Sequence, residues 1–185
     1  ITATNVVSTT DNDANDISIS TTTGNIVIDL INALALGDII IDTNAGSVNA
    51  IGTGPHIIGD DLTIDATTGI GNDVAINTSD IDLLNTNTTN GNIGIVITAA
   101  EAVTVQSMTT GTGAISLTQN GNQSLTLNSV STTTGGITIS NNGGVGADLL
   151  ISNNGISADG DTVTITVAGA IDDEQTNPDL IVDIT

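Results

Sequence analysis

The sequence predicts an all-β chain, a single right-handed parallel β-helix of about seven to eight coils with ~22 residues in each. Three observations predict it. Residues 101–146 repeat themselves as two lines, EAVTVQSMTTGTGAISLTQNGN and QSLTLNSVSTTTGGITISNNGGVG. Val103-Thr104-Val105 lies over Leu125-Thr126-Leu127, and Gly113-Ala114-Ile115-Ser116-Leu117 lies over Gly135-Gly136-Ile137-Thr138-Ile139. Thr109-Thr110 lies over Thr132-Thr133, one position out of step. Hydrophobic residues make up 38 % of the 185-residue chain and none is aromatic. The core is therefore aliphatic, which suits a narrow tube filled layer by layer with Ile and Val. No window supports an amphipathic helix, because Gly, Thr, Asn and Ile crowd out the strong helix formers.

Along the chain, ITATNVVS opens with alternation and runs into the acidic stretch Asp11-Asn12-Asp13-Ala14-Asn15-Asp16. Residues 1–16 read as an N-terminal strand and acidic turn, 17–171 as the coils, and 172–185 as an acidic loop with a closing strand, all in one domain. The first segment of each coil carries an aliphatic pair at i and i+2: Ile17/Ile19, Ile39/Ile41, Leu62/Ile64, Ile81/Leu83, Val103/Val105, Leu125/Leu127 and Leu149/Ile151. The steps between leading residues are 22, 23, 19, 22, 22 and 24. A second family follows a glycine in most coils: Ile26/Ile28, Val48/Ala50, Val74/Ile76, Ile93/Ile95, Ile115/Leu117, Ile137/Ile139 and Val163/Ile165. Period-two alternation marks strands with one face inward. A third strand per coil has weaker candidates: Val96-Ile97, Ser129-Val130 and Ile156. Crossover chirality favours the right hand. Thr-Thr ahead of Gly recurs at the corners, as in Thr22-Thr23-Gly24 and Thr67-Thr68-Gly69, and stacking puts these threonines in a ladder. A loop is expected over 50–59, with Pro55 and the one His, His56. Leu180-Ile181-Val182-Asp183-Ile184 reads as a last strand.

Charge narrows function. Lys and Arg number zero, Asp and Glu 21, and the net charge is −21. Nucleic acid and anionic membrane surfaces are excluded as partners, and divalent cations are the natural counter-ions. No cysteine is present, so no disulfide or thiol chemistry is available. No apolar stretch is long enough to span a membrane as a helix. The chain opens on Ile1 and reads as a processed product or an excerpt of a longer one. Its Thr/Asn/Gly/Ser richness and acidity suggest the cell exterior.

The residues offer little catalytic chemistry. Asp11, Asp13 and Asn15 open like an oxygen-donor calcium loop, but the sixth place holds Asp16 rather than Gly, so an EF-hand is out. Asp172, Asp173 and Glu174 form a second acidic knot. Calcium is the candidate ligand at both, relieving repulsion where the ends of two copies meet. Gly143-Gly144-Val145-Gly146-Ala147-Asp148 fits a calcium nonapeptide in a single copy and reads as a coil corner. His56 stands alone, as a loop histidine without a role. Asp60-Asp61 and Asp80/Asp82 could pair as glycosidase carboxylates. Such enzymes also need aromatic and basic residues to hold sugar, so no enzyme is expected. A threonine ladder makes an ice-binding protein the rival reading.

The pattern Asp-φ-x-φ followed by Thr-Thr-x-Gly-x-φ-x-φ (φ aliphatic), closing with segments such as Val167-Ala168-Gly169-Ala170-Ile171, resembles the repeats of filamentous-haemagglutinin-type adhesins and giant secreted bacterial repeat proteins. The resemblance covers residues 17–171. It implies export across an outer membrane and a role in adhesion, aggregation or surface fibres. Both termini read as strand, and open ends template pairing, so the expected partner is the chain itself, head to tail or as adjoining coils, with a surface polysaccharide as a further candidate.

Overall fold

The structure, a computed structural model, describes residues 1–71, 76–173 and 182–183, with the side chains of all these except Asn77, Asn153, Asp173, Val182 and Asp183. The described residues contain no helix, and every strand pairing among them is parallel. The chain is a β-solenoid of about eight coils. A partial first layer holds β1 (Thr2–Ala3) and β2 (Val6–Val7). The next coils hold β3 (Ile17–Thr21), β4 (Ile26–Ile28) and β5 (Ile31–Asn32), then β6 (Ile39–Thr43), β7 (Val48–Ala50) and β8 (Ile57–Ile58), then β9 (Asp61–Ala66) and β10 (Ile76–Ser79). From there each coil has two longer strands: β11 (Leu83–Asn90) and β12 (Ile93–Ile97), β13 (Val103–Thr112) and β14 (Ile115–Gln119), β15 (Leu125–Thr134) and β16 (Ile137–Asn141), β17 (Leu149–Ala158) and β18 (Val163–Val167). β19 (Ile171–Asp173) and β20 (Val182–Asp183) both pair with β17 and begin the next layer.

Inward side chains line up in columns along the axis. One runs Ile17, Ile39, Leu62, Leu84, Val105, Leu127, Ile151. A second runs Ile19, Ile41, Ile64, Thr86, Met108, Val130, Ile156. A third, on the other sheet, runs Ile26, Val48, Ile70, Ile93, Ile115, Ile137, Val163. Between the end coils these side chains are sealed from solvent, so aliphatic burial along one continuous tube drives the fold.

The register corrects four expectations. The fourth coil contributes Leu84 and Thr86 to these columns; Ile81 is buried in the core outside them, and Leu83 pairs with Asp61 and Thr104 in an outward column. Both pairs fit an i, i+2 pattern, and Thr86 hides the true one because it is not aliphatic. Ile70, not Val74, stands between Val48 and Ile93, and Ile76 pairs with Ile95. Ile70 is an isolated bridge and β10 begins at Ile76; Val74 lies outside the described residues. A coil earlier, residues 51–56 separate β7 from β8. Thr110 pairs with Thr132 and Thr112 with Thr134, so the threonines are in step after all. The run Thr132-Thr133-Thr134 permits two alignments, and the ladder selects one. The third face is the second half of β13, β15 and β17, reached through Met108, Val130 and Ile156. Val130 and Ile156 were among the candidates for it, whereas Val96-Ile97 extends the second face as part of β12. The closing strand is present at Val182–Asp183, paired with Ile156–Ser157; Leu180, Ile181 and Ile184 lie outside the described residues.

Corners are held by polar ladders. Thr43, Thr110 and Thr132 point inward, nearly sealed, and donate Oγ1–H to the carbonyls of Gly24, Gly91 and Gly113, each at 2.9 Å. The inward column at this corner runs Thr43, Ala66, Thr88, Thr110, Thr132; of the expected Thr-Thr pairs, Thr88 and Thr110 face in, while Thr22, Thr23, Thr68, Thr133 and Thr134 are exposed. At the next column Gln119 and Asn141 are fully buried. Gln119 Oε1 accepts the Gly121 N–H at 2.8 Å, and Asn141 Nδ2 donates to the carbonyls of Gln123 (3.2 Å) and Asp148 (3.0 Å), so these amides anchor the loops that follow them.

Candidate functional site

The corner that leads into β3, β6, β9 and β11 is built from aspartates at a fixed interval. Asp16, Asp38, Asp60 and Asp82 are each one 22-residue step apart. Aspartate suits such a corner because its short side chain reaches a backbone N–H in place of a ladder partner. Asp16 Oδ1 accepts the Asp38 N–H at 3.2 Å, and Asp38 Oδ1 accepts the Asp61 N–H at 3.4 Å. The same device returns later, where Asp148 Oδ1 accepts the Ala170 N–H at 2.8 Å. Each carboxylate thus ties one coil to the next.

The stacking brings charges together. Asp38, Asp60 and Asp61 each offer a carboxylate oxygen, and these lie within 4.8 Å of one another; all three residues are half-buried. Burial pushes the Asp60 carboxyl above its ordinary value of 3.8, and the fields of Asp82, Asp38, Asp13 and Glu101 push it further. Asp61 is raised by burial, then by Asp38, Asp60 and Asp82. With no Lys or Arg in the chain, the relief open to this corner is a proton, solvent screening or an external cation. Three convergent carboxylates have the hard oxygen chemistry that suits calcium or magnesium.

The residues singled out from sequence are distributed differently. Asp11 Oδ1 accepts the Leu36 N–H at 3.1 Å, and Asn15 Nδ2 donates to the Thr10 carbonyl. Asn12 Oδ1 accepts the Ala14 N–H at 2.8 Å, which closes the acidic run as a tight turn. Asp13 adds its field to the Asp60 corner. Asp172 is exposed on β19, at the opposite end of the nine-stranded sheet from β3. The Asp173 side chain and Glu174 lie outside the described residues. Asp60 and Asp61 stay together but gain Asp38 as their partner, while Asp80 is exposed at a positive φ of 57°. Asp38 was missed, although its 22-residue spacing from Asp16 and Asp60 was a readable signal.

His56 is a correction. The loop bulges as expected, with residues 51–55 exposed, yet the His56 side chain is buried. Its backbone carbonyl accepts the Ile31 N–H at 2.8 Å, and burial lowers its pKa, so the ring is a neutral part of the interior. The nonapeptide Gly143–Ile151 is a coil corner, as read: the Ala147 N–H bonds to the Gly144 carbonyl at 3.0 Å, and Leu149 and Ile151 enter the β17 ladder. Val145 at its tip is 99 % exposed. A separate shallow hollow of about 350 Å³ lies on the outward side of β6, β9 and β11, lined by Asp42, Asn44, Asp65, Thr67, Asn87 and Thr89.

No protein-family model, curated protein or solved structure matches this chain.

Proposed function

We propose that the chain is a structural rod, an adhesive or load-bearing β-solenoid element of an extracellular fibre or cell-surface protein. Its terminal coils pair with further coils, either of a second copy or of the same polypeptide. The supporting observation is the state of the end layers. Inside the stack the inward residues are sealed, whereas Ile17, Ile19 and Val6 at one end and Val163, Ile165 and Val167 at the other pack against the core half-covered. Half-covered aliphatic side chains beside strands that end their sheets among the described residues, β2 and β3 at one end and β18 and β19 at the other, favour addition of another layer. The composition supports the location: no cysteine, no cation, and a surface of Thr, Ser, Asn and Asp.

Acidic ends repel, so end-to-end contact needs screening. Calcium at the joint, between the turn of Asp11, Asp13 and Asn15 and the knot of Asp172, Asp173 and Glu174, is the counter-ion that this reading favours. Electron microscopy of the native material with calcium is expected to show unbranched filaments one solenoid wide, and chelator should shorten them. Discrete short particles from a native polypeptide whose mass is near 18.4 kDa would overturn the reading, and equal assembly with and without chelator would remove calcium from it.

A further inference from the structure

The face formed by β12, β14, β16 and β18 combines three properties. The first is register. Gly94, Ser116, Thr138 and Thr164 stand in one outward column, and Val96, Thr118, Ser140 and Thr166 in another, with no shift in any pairing. The other long sheet is broken by shifts at Leu84/Asn85 and Leu127/Ser129. The second is chemistry. Successive strands read Ser116-Leu117-Thr118, Thr138-Ile139-Ser140 and Thr164-Ile165-Thr166, so two hydroxyls flank one inward aliphatic residue in each of three coils. No acid occurs anywhere in residues 102–147, or in β12 or β18, although the chain carries 21.

The third property is that these hydroxyls are unspent. Thr43, Thr110 and Thr132 give theirs to glycine carbonyls, and Thr109 and Thr112 give theirs to Asn87 and Asn90. Among the described residues no hydrogen bond ties Ser116, Thr118, Thr138, Ser140, Thr164 or Thr166 hydroxyls to the protein. Ser116, Thr138, Thr164 and Thr166 are exposed, and Thr118 and Ser140 half-exposed.

We propose that this face binds ice. Its hydroxyls form a regular lattice, ~4.8 Å between coils and ~6.6 Å between columns along a strand. Thr118, Thr138, Thr164 and Thr166 hold few rotamers, so four of the six hydroxyls are restricted before water arrives. Water bound to such an array is ordered at the array's own spacing, and a layer already ordered joins a crystal surface at little further entropic cost. A carboxylate in the array would turn water about itself and break the order; none is present. A neutral polysaccharide is the competing occupant, but it favours a stacking ring, and this chain has no aromatic residue.

The test is nanolitre osmometry on the 185-residue chain, with microscopy of the growing crystals. Thr138→Tyr disrupts the array, while Thr126→Tyr, outward on β15, leaves it intact; circular dichroism reports whether each is folded. The chain is expected to separate freezing from melting and to facet the crystals. Thr138→Tyr should reduce that gap several-fold and Thr126→Tyr should leave it alone. If Thr138→Tyr melts early, Thr164→Lys repeats the comparison from an exposed site. Round crystals and no gap in the parent chain overturn the proposal, and so does an equal loss in array and control variants. Retention on cellulose that Thr138→Tyr abolishes, without any freezing gap, assigns the face to glycan instead.

Discussion

Gly113 and Gly135 occupy the same corner in successive coils, with φ of 141° and 127°. A Cβ on Gly135 would meet the Gly113 carbonyl oxygen at 2.3 Å, so the strain of the backbone angle adds to a clash between coils. Gly24 also has a positive φ, 88°, but a Cβ there would meet nothing within 4 Å. Gly24→Ala should therefore cost only the conformational term, about 1 kcal/mol, and Gly135→Ala at least about 2–3 kcal/mol. Urea unfolding measures both, and equal losses would mean the corners are not stacked this tightly. The corner glycines were legible from sequence because only glycine supplies the angle cheaply. That Thr88, Thr110 and Thr132 turn inward while Thr22, Thr23 and Thr133 do not was not legible. Adjacent identical residues carry no phase, and the carbonyl that captures Thr132 sits one coil away. His56 was misread for a similar reason: isolation in sequence says nothing about burial.

At the scale of strands and corners, the aspartate ladder has a consequence for pH. Asp60 and Asp61 have carboxyl pKa values raised in the folded chain, so the folded state holds protons there more tightly than the unfolded chain. The stability they contribute is full below 3.8 and is lost as pH rises through their folded values. Lowered by burial, His56 acts with the opposite sign: its contribution is present above 6.5 and is lost as pH falls through its folded value. Asp60→Asn isolates the first effect. Because the site is half-exposed and screened, the variant should melt only about 1–3 °C higher than the parent at pH 7, with the difference gone at pH 3. A variant that melts lower at pH 7 would mean the Asp60 charge is compensated. Strand existence was legible from period-two alternation in nearly every coil. Phase failed in the third and fourth coils, where Ile70 joins the column as an isolated bridge apart from β10 and Thr86 replaces an aliphatic residue in the core column. The Asp38 corner was overlooked because adjacent acids in a run draw the eye more than acids one coil apart.

Over the whole molecule, parallel stacking, coil number and the aliphatic tube follow from repetition at one step and from the absence of rings. The third face was only partly visible, because β13, β15 and β17 each run on into it as one strand and no turn residue marks where the face changes. The outward hydroxyl lattice was hidden too, since Ser and Thr alternate in its columns and the more conspicuous Thr-Thr pairs belong to the corners. The proposed rod depends on coils meeting in register, and the chain has no native cysteine to confuse a cross-linking test of that register. Ser116 and Thr138 are direct partners across β14 and β16, while Ser116 and Ser140 are two residues out of register. Neighbouring parallel strands stand within the Cα separation a disulfide tolerates, and the diagonal position lies beyond it. The most direct measurement is therefore oxidation of the double variants Ser116→Cys/Thr138→Cys and Ser116→Cys/Ser140→Cys, followed by mass spectrometry of the monomer band. In-register stacking predicts rapid, near-complete intramolecular bonding in the first and little in the second; equal bonding in both, or bonding only in the second, would contradict it.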